Sequence, residues 1–205
     1  MSHSLAVLSI GLVVSYLGSI PPGTLNLTVI QLGIKEQHSA ALNFAFASAL
    51  VEFFYAGIAV KAQLYLTSNP AISGYFQLVT GCLLLVIGLI NLLYRRKGRA
   101  DTSKDVSAKG GFWRGFVLSS LNPMAIPFWL AVTAALQSAE WLLITNQNLI
   151  FYLLGISSGT FILLLQASRL GIRLKHLQEN SFLMYRLPGI ILISLSAYTF
   201  YVWLL

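Results

Sequence analysis

Six apolar runs, each long enough to cross a lipid bilayer, constrain this chain more than any other feature. They are approximately Leu5–Gly33, Ala40–Leu66, Ile72–Tyr94, Phe112–Leu136, Leu149–Leu170 and Pro188–Leu205. A helix needs roughly 20 apolar residues to span a hydrocarbon core. Of the 205 residues only 9% are charged and 57% are hydrophobic, whereas a soluble domain carries about 25% charged residues. So few charges cannot cover a water-facing surface, so the solvent of most of this chain must be lipid. The expected fold is all-α and transmembrane, a single domain over residues 1–205 with no soluble module.

The net charge of +7 points to topology rather than to nucleic acid. Lys35 lies after the first run; Arg95, Arg96, Lys97, Arg99, Lys104, Lys109 and Arg114 follow the third; Arg169, Arg173, Lys175 and Arg186 follow the fifth. These are twelve of the 13 Lys and Arg, and only Lys61 falls on the other side. Basic residues collect in cytoplasmic loops, which predicts that both termini face outward. Residues 1–4 lack the basic n-region of a signal peptide, and a proline pair follows the apolar stretch in place of a cleavage site, so the first run reads as a retained span. The single cysteine, Cys82, allows no disulfide, redox pair or thiolate cage within one chain.

Two runs carry helix breakers. The first contains Pro21, Pro22 and Gly23; the fourth contains Asn122 and Pro123, with Pro127 one turn later. Proline removes a backbone donor and clashes with the preceding turn, and glycine accepts the angles of an unwound segment. Carbonyls freed in this way need partners where there is no water, and the amides of Asn26 and Asn122 are suited to supply them. Each break lies eleven residues from the cytoplasmic end of its run, roughly 16 Å at 1.5 Å per residue, near the middle of a ~30 Å core. The breaks are also half a chain apart. With three spans per half, the halves enter the membrane in opposite directions, so the expected architecture is two inverted three-helix repeats, about 1–94 and 112–205, joined by a basic loop over 95–111. Interrupted helices at matching positions of inverted halves mark the binding site of many transporters; simple packing kinks are the alternative.

Glu52 is the one acidic residue deep within a span. Ionised there it costs about 2.5–3.5 kcal/mol by insertion scales, so it is protonated, paired or facing water. Ala41, Ala45, Ser48, Ala49 and Ala56 share its helical face, and small residues permit close helix approach, which turns Glu52 into the bundle. It is either a proton-coupling or amine-binding group, or a neutral carboxyl bonding a neighbouring helix. A second stripe comprises Gly74, Gln77, Gly81, Gly88 and Asn91, and a third comprises Gly155, Gly159 and Gln166 beside Ser158. Most of these positions fit packing, while Gln166 and Asn91 are candidates for a cavity. Tyr16, Tyr55 and Tyr198 are weaker candidates for a pathway, and Trp141 and Trp203 fit an interfacial belt. His3, His38 and His176 fall in loops or at the terminus, and no catalytic or phosphate-binding constellation exists in the sequence. The chain therefore reads as neither an enzyme nor a holder of a metal or cofactor.

Two motifs, Ser19-Ile20-Pro21-Pro22-Gly23-Thr24-Leu25-Asn26 and Leu121-Asn122-Pro123-Met124-Ala125-Ile126-Pro127-Phe128-Trp129, together with the acidic Glu52 and the six runs, resemble the LysE/RhtB amino-acid exporter family over the whole chain. The order Pro-Pro-Gly in place of Pro-Gly-Pro, Glu52 in place of aspartate, and Met124 in place of lysine depart from the family pattern. The resemblance implies export of small amino acids or related metabolites, driven by the proton-motive force, in a bacterial inner membrane. It also implies a capacity to form a homodimer.

The expected site gathers Glu52 with Pro21, Pro22, Gly23, Asn26, Asn122 and Pro123, and adds Gln166 and Asn91. Expected partners are the lipid bilayer and a small-molecule substrate. Two other readings stand beside secondary export. Divalent-metal export would need more carboxylates than one buried Glu supplies. A non-transporting scaffold or assembly subunit would co-purify with a partner and leave efflux unaltered when deleted.

Overall fold

The structure is a computed structural model, and it describes residues 2–20, 23–67, 75, 78, 81–82, 84–86, 88–89, 92–93, 106–122, 125–138, 144–170 and 187–204. All regular structure among the described residues is helical. The helices are α1 (Ser2–Gly18), α2 (Thr24–Ile34), α3 (His38–Thr67), α4 (Ala108–Ser120), α5 (Ala125–Ser138), α6 (Leu149–Arg169) and α7 (Leu187–Leu204). The expected first run corresponds to α1 and α2, the second to α3, the fourth to α4 and α5, and the fifth and sixth to α6 and α7. The described residues of the third run, from Tyr75 to Leu93, are helical as well. Residues 95–105 of the basic loop, with Gly74, Gln77, Trp141 and His176, lie outside the described residues.

By length and composition, His38–Tyr65 and Leu149–Arg169 are each long and apolar enough to cross a membrane. Helices α4 and α5 qualify as a third span if taken together across a 64° bend, while α1 and α2 are shorter apolar helices.

Local chemistry sets the helix ends. Helix α4 begins inside the expected loop because Ser107, in extended backbone, caps it and its hydroxyl accepts from the Gly110 N–H at 3.1 Å. His38 opens α3 instead of lying in a loop. Pro188 sits in the first turn of α7, where its missing N–H costs nothing. Between α2 and α3, Glu36 adopts φ 58°, and the Gln37 side-chain carbonyl accepts from the Val106 N–H, tying this turn to the entry of α4.

Both faces of α3 are apolar, and what separates them is size. Leu42, Phe46, Phe54, Ile58 and Tyr65 point outward, whereas Ala41, Ala45, Ser48, Ala49 and Ala56 are buried. Lipid solvates bulky apolar side chains as well as a protein core does, so burial here selects close fit over hydrophobicity.

Glycines set the fit. A Cβ at Gly111 would strike the Ala40 carbonyl, and one at Gly115 the Phe44 carbonyl. The two contacts advance together along both chains, so α4 runs parallel to α3. Likewise Gly155 meets the Leu8 carbonyl and Gly159 the Leu12 carbonyl, so α6 runs parallel to α1. Helix α2 also packs on α6, α5 also packs on α3, and α3 and α6 pack on each other. Gly81 lies against Phe200, and Gly88 against Ile193, an antiparallel contact between the third run and α7. The Ser196 hydroxyl donates to the Gly81 carbonyl across it at 2.8 Å.

Two large clusters dominate the apolar core of the described residues, and a small third joins Leu84 to Ala131. One gathers Val7, Ala56, Val60, Trp129, Tyr152 and Ile156; the other gathers Val29, Leu32, Ala41, Phe44, Ala45 and Leu164. Between these two large clusters the sequence turns polar on α3, on α6 and on the α1–α2 pair. Ser48 and Glu52 lie between Ala45 and Ala56 on α3, and Thr160 lies between Ile156 and Leu164 on α6. Ser15 and Asn26 lie between Val7 and Val29 on the α1–α2 pair.

Candidate substrate site

Helix α1 ends at Gly18 and α2 begins at Thr24; α4 ends at Ser120 and α5 begins at Ala125. Pro21, Pro22 and Pro123 lie outside the described residues, but the backbone on either side of them is defined. In an unbroken helix the Ser19 carbonyl would accept from residue 23 and the Ser120 carbonyl from residue 124. Side chains take their place. Asn26 Nδ2 donates to the Ser19 carbonyl at 2.7 Å, and the Tyr55 hydroxyl donates to the Ser120 carbonyl at 2.6 Å. Each interruption is thereby closed by a side-chain donor one or two turns from Glu52 or from the break itself. The Asn122 backbone N–H turns back to the Ser119 carbonyl at 3.1 Å, and its half-buried side chain sits at the bend.

Glu52 is half-buried, and the indole N–H of Trp129 donates to its Oε1. Trp129 lies in the first turns of α5 and is 1% exposed, so the carboxyl is tied directly to the helix that starts at the second interruption. The adjacent Phe128 stands edge-on to Trp129, with ring centroids 5.1 Å apart. The same Phe128 ring covers Gly18, where a Cβ would come within 2.7 Å of Cζ. The end of α1, the start of α5 and Glu52 thus form one contiguous cluster.

Gly23 plays a different part from the one its residue type suggests. Its backbone, at φ −101° and ψ −171°, is extended and open to any residue, and a Cβ there would meet nothing within 4 Å. Open space, not backbone angle, distinguishes this position. Gln166 is exposed and accepts from the Tyr16 hydroxyl at 2.5 Å, a link between α1 and α6 away from Glu52. Asn91 lies outside the described residues.

Sequence reasoning passed over Trp129, Phe128 and Tyr55 as partners. Trp129 and Phe128 stood in a quoted motif, but the direction in which their rings leave α5 depends on the bend between α4 and α5. Further polar links join the belt: Ser15 and Thr160 share a buried hydrogen bond at 2.9 Å, and the Ser157 hydroxyl donates to the Ala49 carbonyl at 2.9 Å.

Lipid-length apolar helices that turn their small and polar residues inward, around two interrupted helices, define an integral membrane protein. The family model for the LysE type translocator matches residues 16–202, and the chain belongs to that family. Membership carries the coarse function of a membrane transporter that exports amino acids or related compounds. Comparison with curated proteins and with solved structures returned no match.

Proposed function

We propose that this protein is a secondary exporter of small amino acids or related metabolites across the bacterial inner membrane. It works by alternating access, coupled to protons, with one substrate site formed at the two interruptions. The observation that carries this reading is the bond from Trp129 to Glu52, because it joins the only acidic side chain deep in a span to the start of an interrupted helix. Helices α2 and α5 both begin at the interruptions, so their N-terminal dipoles favour the carboxylate of an amino acid, while Glu52 suits its ammonium or the coupling proton. Open space beside Gly23 leaves room for a ligand.

The inverted-repeat architecture is supported by the packing. Helices α1 and α2 both pack on α6, and α4 and α5 both pack on α3. Exchanging first span for fourth and second for fifth turns one arrangement into the other, both pairs running parallel, although the glycines lie on the fifth span in one (Gly155 on Leu8) and on the fourth in the other (Gly111 on Ala40). Spans three and six, paired antiparallel through Gly88, exchange with each other. Six spans with the basic loops inside leave both termini outside. A C-terminal alkaline phosphatase fusion is then active and a GFP fusion dark; the reverse result overturns the topology.

The substrate is identified by a metabolite-resolved efflux screen of a deletion strain against an overexpressing one. An amino acid or close relative accumulating inside the first and outside the second supports the reading. Unchanged profiles overturn it.

A further inference from the structure

Several hydroxyls in these helices have partners. Thr28 donates to the Thr24 carbonyl, Thr199 to that of Leu195, Ser157 to that of Ala49 and Ser196 to that of Gly81. The two threonine bonds are back-bonds to the preceding turn, an ordinary resting place for Ser and Thr in an apolar helix; the two serine bonds cross to another helix. Ser48 and Ser119 stand apart as buried hydroxyls: 0% and 2% exposed, each with a buried Oγ that has no hydrogen-bond partner among the described residues.

The register of the α3–α4 seam sets the two opposite each other. Gly111 sits over Ala40 and Gly115 over Phe44, each pair four residues beyond the last, and the next step of four sets Ser119 over Ser48. One turn further along the same face of α3 comes Glu52, whose one hydrogen-bond partner among the described residues is Trp129. The glycine contacts close the seam on the Gly115 side of the two buried hydroxyls. Two buried hydroxyls left unpaired are destabilising, and a buried water needs two to four polar partners. Ser48, Ser119 and the Glu52 carboxyl supply three.

We propose that Ser48 and Ser119 hold a single buried water between α3 and α4 that hydrogen-bonds the Glu52 carboxyl and carries its proton. The serines are positioning residues: they fix the water, and the water meets the carboxyl. The proton-carrying part of this inference rests on the reading of Glu52 as the coupling group; the water site itself does not. Because the water reaches Glu52 from α4, the proton and the substrate approach the carboxyl from different sides.

The test compares thermal unfolding of the full chain in nanodiscs for Ser48→Ala, Ser119→Ala and the double variant, with Ser157→Ala as a control that loses a paired hydroxyl. With a shared water, each single variant lowers Tm by about 2–4 °C, and the double variant falls little further. A rise in Tm on removing either hydroxyl means a dry seam relieved of an unpaired polar group and overturns the proposal. No change, or full additivity, overturns it as well. If Ser119→Ala does not accumulate, the sign of the Ser48→Ala shift decides. Wild-type Tm is the same in sodium and choline buffers; a sodium-dependent shift lost in Ser48→Ala replaces the water by a cation and overturns the assignment.

The second arm uses proteoliposomes loaded with an equimolar mixture of the twenty proteinogenic amino acids and a pH-sensitive dye outside. The double variant slows proton flux roughly tenfold, the equivalent of one lost hydrogen bond, while amino-acid binding is retained. Unaltered flux in a chain whose flux is abolished by Glu52→Gln overturns the relay and leaves the exporter reading intact. Unaltered flux in Glu52→Gln itself defeats that reading, and the unfolding cycle still judges the water.

Discussion

Replacing Trp129 by Phe removes one N–H from the centre of the site and keeps an aromatic ring in place. Trp129 is 1% exposed, and its indole is the partner of Glu52 among the described residues, so the carboxyl oxygen loses its protein donor inside the helix packing. Leaving a buried acceptor unpaired costs about 1–3 kcal/mol, and the lost part of the indole adds a cavity contribution. For a chain of this length each kcal/mol lowers Tm by about 2–4 °C, which intrinsic-fluorescence or dye-based unfolding in nanodiscs resolves. The cavity contribution is separated by a double-mutant cycle with Glu52→Leu. Since the two side chains are in contact, the cycle yields a coupling of about 1–3 kcal/mol. Additivity within about 0.5 kcal/mol, the behaviour of independent sites, refutes the bond and with it the link between α3 and the start of α5.

Three further substitutions check the backbone geometry. Gly155→Ala drives a Cβ into the Leu8 carbonyl and destabilises by about 1–3 kcal/mol, as over-packing does; Gly23→Ala meets open space and leaves Tm unchanged. Equal effects at the two glycines would contradict the packing described for α1 and α6. Glu36→Gly relieves a left-handed residue at φ 58°. Against the extra freedom glycine gains when unfolded, the strain relief of about 1–2 kcal/mol leaves a net stabilisation of roughly 0.5–1 kcal/mol, visible as a higher Tm.

Much of the scaffold was legible because lipid makes sequence patterns blunt. Run length alone located α3 within two residues at its start and one at its end, and α6 within one. The small-residue face of α3 announced its buried side, since in a membrane bundle only Ala, Gly and Ser allow that approach. Gly155 and Gly159 were legible as contacts, though not that their partner is α1. The site was legible in its backbone and not in its partners. Asn26 could be expected to serve a freed carbonyl, and it serves that of Ser19. Tyr55 gave no such signal, because whether its hydroxyl reaches Ser120 depends on α4 lying parallel to α3. Ser48 appeared only as a small residue; its unpaired hydroxyl emerges from the register that sets Ser119 opposite.

The central claim is that Glu52, held by Trp129 between the two interruptions, couples export to the proton gradient. Transport of the substrate by purified wild type and Glu52→Gln in proteoliposomes, with and without an imposed pH gradient, tests it most directly. Glutamine keeps an acceptor for the indole N–H and cannot exchange a proton. The account predicts a Glu52→Gln protein that folds and inserts normally but no longer accelerates efflux when the gradient is applied. Gradient-driven efflux at the wild-type rate would contradict it and remove Glu52 from the mechanism.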